Sequence, residues 1–98
     1  MILTVEEVKS HLRIQYTEED SYLVSLVKQA QATAEDYCRV SFDNNEQITA
    51  PEPVRLAALL MVSHYYENRD NPDKQMYLTM RMAFENLLYP YRDVEKMF

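Results

Sequence analysis

The side chains of this 98-residue chain that invite a chemical reading are few and can be tested one by one. His64 and Glu67 stand three residues apart, so on a helix they share a face, the spacing a metal pair uses. No second pair of that kind answers them, His11 is distant in sequence, and the His-Glu-x-x-His of a helical metalloprotease is absent. The expectation for His64 is therefore a helix-end contact with a carbonyl or a neighbouring side chain. A small helical ribonuclease would place an Arg a few residues before a His; here His64 precedes Arg69 and Arg55 lies too far ahead. Ser10, Ser21, Ser25, Ser41 and Ser63 lack the strand-turn-helix elbow that exposes a hydrolase serine. Cys38 is the lone cysteine, which excludes an internal disulfide and a closed cysteine-based zinc site, and its place on an apolar helix stripe predicts a buried small hydrophobe. No catalytic, cofactor-binding or metal-binding residue is assigned.

What must position these residues is a set of helices. The chain has no glycine, which removes phosphate-binding loops and glycine-based hairpins and leaves helices to end on Asn, Pro or polar residues. Thr4 with Glu7 forms a capping box before a short helix, Val5 to Leu12. Thr17-Glu18-Glu19-Asp20 repeats the start signal, with acids where the helix dipole favours them. A long amphipathic helix follows, about Glu18 to Arg39. Its apolar stripe is Tyr22, Leu23, Leu26, Val27, Ala30, Ala34, Tyr37 and Cys38, while Gln29, Gln31, Glu35 and Asp36 fall elsewhere. Residues 40–53 read as an irregular loop, with turn chemistry at Asp43-Asn44-Asn45-Glu46 and a small ribbon at 40–42 or 47–49 as the lesser alternative. A third helix, about Pro53 to Asn68, is apolar nearly all round and so is expected at the centre. A fourth starts near Asp73 or Lys74 and runs towards Tyr89, where Pro90 ends it. Met76, Tyr77, Met80, Ala83, Phe84, Leu87 and Leu88 form its helical stripe, and Met76 and Met80 are expected in the core. The fold expected is all-α: one compact domain over 1–98, a bundle of about four helices, with 91–98 as a flexible tail. No run is long enough to span a bilayer and the start carries no leader pattern, so a soluble protein is expected.

Charge and aromatic residues carry the remaining signal. The net charge of −6 lies wholly in residues 1–53, while residues 54–98 hold six acids and six bases. An acidic half opposes sequence-independent nucleic-acid binding. It suits a solvated face, or a surface that repels DNA or meets a basic partner. Tyr65, Tyr66 and Arg69 close the apolar third helix, and Tyr91 and Arg92 follow the fourth. Tyr and Arg of this kind are enriched at contact surfaces.

Three blocks resemble a known family. They are Leu3 to Ile14 followed by Tyr22-Leu23 and Ala30, then Val54 to Arg69 with its ending His64-Tyr65-Tyr66-Glu67-Asn68-Arg69, then Phe84 to Arg92 with Leu87-Leu88-Tyr89-Pro90-Tyr91-Arg92. In order and length they resemble the small head–tail connector (adaptor, or DNA-packaging) proteins of long-tailed bacteriophages. One departure is Arg81-Met82-Ala83, where that family usually carries a Gly or Pro. The resemblance implies a structural virion protein without catalysis or cofactor. Identical subunits would form a ring below the portal after packaging, extend the DNA channel, and offer a platform to a head-completion, stopper or tail protein. It implies residence in the virion neck, and in host cytoplasm during assembly. Contact residues expected are Tyr65, Tyr66, Arg69, Tyr91, Arg92 and Phe98, and Glu18, Glu19 and Asp20 would form an acidic channel or partner surface. The competing reading is a small acidic helical binding module, an inhibitor or DNA mimic, acting on a basic protein.

Overall fold

The computed structural model describes residues 2–42 and 50–92. Four helices follow in order: α1 (Val5–Leu12), α2 (Asp20–Cys38), α3 (Glu52–Glu67) and α4 (Lys74–Leu88), with a 3-10 turn at Tyr89–Tyr91. No strand occurs among the described residues, so the fold is all-α as expected. The tail expected at 91–98 lies outside the described residues from 93 onward, as does most of the expected loop, residues 43–49.

Local chemistry sets the boundaries. The Thr4 hydroxyl accepts from the Glu7 amide at 3.1 Å, and the Glu7 carboxylate accepts from the Thr4 amide at 3.0 Å, closing the capping box of α1. α2 starts two residues later than its acids suggest, because Thr17 to Glu19 form a turn in which the Asp20 amide donates to the Thr17 carbonyl at 3.2 Å. The Asp73 carboxylate accepts from the Gln75 and Met76 amides at 2.9 and 3.2 Å and starts α4. Without glycine, α1 and α2 stop on Arg13 (φ 61°) and Arg39 (φ 60°) in the left-handed region. That conformation costs a residue with a Cβ about 1 kcal/mol. α3 stops before Pro72: the His64 carbonyl accepts from both the backbone amide and the side-chain amide of Asn68, at 3.0 and 2.9 Å.

α3 lies at the centre, packed on α2 and α4 along its length and on α1 at one end. The core is Val8, Leu23, Val27, Val54, Met61, Val62, Phe84 and Leu88, all fully buried. Cys38 is buried there too, its thiol donating to the Leu88 carbonyl at 3.7 Å, and burial pushes its pKa up. The molecule is flat, about 42 × 35 × 17 Å.

Two expectations need correction. Gln31 is buried, not on the outer face. The Ile2 amide is buried beside α2 and donates to Gln31 Oε1 at 2.8 Å, which satisfies a donor that would otherwise be orphaned. Met76 is 50% exposed, lining an open groove with Glu67 and Asn68 at the end of α3, while Met80 is buried.

Candidate functional site

The strongest concentration of polar and aromatic groups joins the start of α2 to the end of α3. Glu19, just before α2, receives both terminal nitrogens of Arg69: Nη1 makes a close ion pair and Nη2 donates at 3.3 Å. The guanidinium also lies over two rings, 4.6 Å from the Tyr66 centroid and 5.4 Å from that of Tyr22. Tyr16 donates to Glu19 Oε1 at 2.9 Å. The Tyr66 hydroxyl stands 3.0 Å from the Tyr16 oxygen and 3.3 Å from Glu19 Oε1, so its one proton can be given to either. The Arg69 hydrogen bonds, then that of Tyr16, hold the Glu19 carboxyl down to about 2. The same contacts push Tyr16 and Arg69 above their ordinary values, Tyr16 chiefly through Tyr66 and Arg69 through Glu19. Glu19 also sits where the α2 dipole favours a negative charge.

This cluster changes what the acidic trio is. Glu19 is held by Arg69, and Asp20 pairs with Lys9 at 2.9 Å. Glu18 is exposed and makes no ion pair with the described residues.

His64 and Tyr65 belong to a second aromatic group, between α3 and α4. The His64 ring stands 5.6 Å from Tyr65 and 5.9 Å from Tyr77, and Tyr65 and Tyr77 are 6.4 Å apart. Burial, then Tyr77, pushes the Tyr65 phenol up. His64 thus meets neighbouring rings, a contact that fits a helix-end packing role. Among the described residues, no group of three or more His, Cys, Asp or Glu gathers as a metal would require.

The second Tyr/Arg pair also turns inward. Arg92 lies over the Tyr37 ring at 4.5 Å and donates from Nε to the Tyr37 carbonyl at 3.3 Å. Tyr91 packs half-buried against the core. Phe98 lies outside the described residues.

Other side chains stand open to solvent. Leu78, Met82 and Tyr89 are 44%, 66% and 67% exposed, and Leu56 on α3 is 51% exposed. The apolar stripe expected for the fourth helix leaves out Leu78 and Met82, but no contact role was read from that omission. The available signal was angular: Leu78 and Met82, four apart, lie off the stripe of Met80, Phe84 and Leu88. On α3 the all-round apolar pattern could not separate Leu56 from its buried neighbours Ala57 and Ala58.

Among the described residues, no helix is long and apolar enough to cross a membrane. No curated protein and no solved structure matches the chain. A family model does: the phage gp6-like head-tail connector protein, matched over residues 2–93. That span holds all four helices, the Glu19–Arg69 cluster and the Tyr89–Arg92 turn. The chain belongs to the phage gp6-like head-tail connector family.

Proposed function

We propose that this chain is a structural, non-catalytic connector of the virion neck. Copies of it form a ring below the portal after DNA packaging and extend the channel towards the tail. The observation that carries this reading is the family match, which runs through nearly the whole chain. Its partners are further copies of itself, the portal protein, and a head-completion, stopper or tail protein. The candidate reactive groups support a structural role: Glu19 is engaged by Arg69 and Tyr16, and His64 by two tyrosine rings.

Contact residues form part of the proposal. Tyr66 and Arg69 keep exposed edges and stand as contact residues. Tyr65, Tyr91 and Arg92 are half-buried and serve by setting the helix ends that neighbours meet. Phe98 reaches a neighbour or the portal. A net charge of −6 supports a channel wall over which DNA slides without sticking. Of Glu18, Glu19 and Asp20, the uncompensated charge comes from Glu18, since the other two are paired.

Disrupting the gene in the phage tests the reading. Expected are DNA-filled heads and separate tails that fail to join, with joining restored when the chain is supplied in trans. Normal joined particles in its absence would overturn it.

A further inference from the structure

Two open surfaces of the subunit are apolar at the centre and opposite in charge at the edge. The first is the outer face of α4, continued by the 3-10 turn. Leu78, Met82 and Tyr89 are spaced by four and seven residues, so they form one stripe. Lys74 stands exposed at one edge of that stripe, and Arg81 on the same edge is bound to Glu85 at 2.8 Å and lies over the Phe84 ring at 5.3 Å.

The second is a cleft of about 460 Å³ between α1 and α3. Leu3, Leu56 and Leu59 give its apolar lining, and Glu6, Glu7 and Glu52 its carboxylates. Its one cation, Arg55, is already engaged by Glu7, by Glu52 at 3.1 Å and by the Ile2 carbonyl at 3.3 Å. Three carboxylates against one guanidinium leave the cleft negative, whereas the α4 edge offers Lys74, which makes no ion pair with the described residues.

α1 and α4 each pack on α3, so the two surfaces lie on different elements of the flat subunit. A patch that fits a different patch of the same chain can make a head-to-tail contact, and such contacts build a ring where the rotation between neighbours closes. We propose that the α4 face of one subunit seats in the α1–α3 cleft of the next copy. Met82 and Leu78 meet Leu56 and Leu59, and Lys74 faces Glu52 and Glu6. This inference rests on the ring reading and names the two surfaces that build the ring.

Cross-linking in phage particles tests it. The chain carries Leu56→Cys and Met82→Cys together, and a short bis-maleimide joins the introduced thiols. The native Cys38 is buried and does not compete. Expected is a ladder of covalent oligomers from the double variant and only monomer from each single variant. Particles that contain the double variant but give no ladder overturn this interface and leave the ring reading standing. A dimer from Met82→Cys alone, which means α4 against α4, also overturns it. Particles that assemble normally and contain no copy of this chain overturn the ring reading and this inference with it. A charge test covers variants that fail to enter particles. Lys74→Glu should lower incorporation about tenfold, and adding Glu52→Lys should restore it. A Lys74→Glu chain that incorporates like the wild type overturns the proposal.

Discussion

The end of α3 and the outer face of α4 are built from opposite materials and are satisfied in opposite ways. At the end of α3, Arg69 spends its guanidinium on the Glu19 carboxylate and on the faces of Tyr22 and Tyr66. On the outer face of α4, Leu78 and Met82 stand exposed. Tyr and Arg are the residue types most often associated with binding surfaces, yet here their polar groups are largely used within the subunit and only edges of Tyr66 and Arg69 stay open. On α4 and the turn after it, Leu78, Met82 and Tyr89 remain open. Residue type alone therefore does not mark an interface. A side chain is available to a partner only when its own chain has not already filled its donors and faces.

The contrast can be broken at α4 first, because one helix carries both kinds of position. Phe84→Ala empties a fully buried site and should cost about 3–5 kcal/mol in urea unfolding. At the α2–α3 junction, Arg69→Ala and Glu19→Gln should each lower the thermal midpoint, by less than Phe84→Ala does. The Glu19 effect depends on pH. Its folded-state pKa lies near 2, below the ordinary carboxyl value of 4.5, so its stabilisation is complete above about pH 4.5. It should shrink as pH falls through about 2, and the gap between wild type and Glu19→Gln should narrow over that window in a pH series of melts. A constant gap would show that Glu19 is not held by its ion pair.

Smaller effects sharpen the same contrast. Arg39→Gly removes a Cβ from a left-handed position and should raise stability by about 0.5–1 kcal/mol, read from the urea midpoint. Met82→Asp touches no buried contact and should move stability by less than about 0.5 kcal/mol. A larger loss would show that the α4 face serves the subunit's own packing.

Most of the fold was legible in the sequence. The capping box at Thr4 and Glu7, the long stripe from Leu23 to Cys38 and the apolar run from Val54 to Val62 each report their own local geometry. Hidden were contacts between residues far apart in the chain. Gln31 looks like an outer-face residue until the Ile2 amide is laid against it, 29 residues away. Glu19 and Arg69 are separated by 50 residues, and neither local sequence names the other as partner. The family blocks pointed to the Tyr66–Arg69 segment, but which of its surfaces stays free depends on packing. The exposed Leu56 was masked for the same reason, since periodicity cannot rank positions on a helix that is apolar all round.

The most direct test of the central claim is a reconstruction of the virion neck by electron cryo-microscopy at side-chain detail. The account predicts a ring of copies of this four-helix fold immediately below the portal, with the channel passing through its centre. A fully resolved neck without this chain between portal and tail would contradict it.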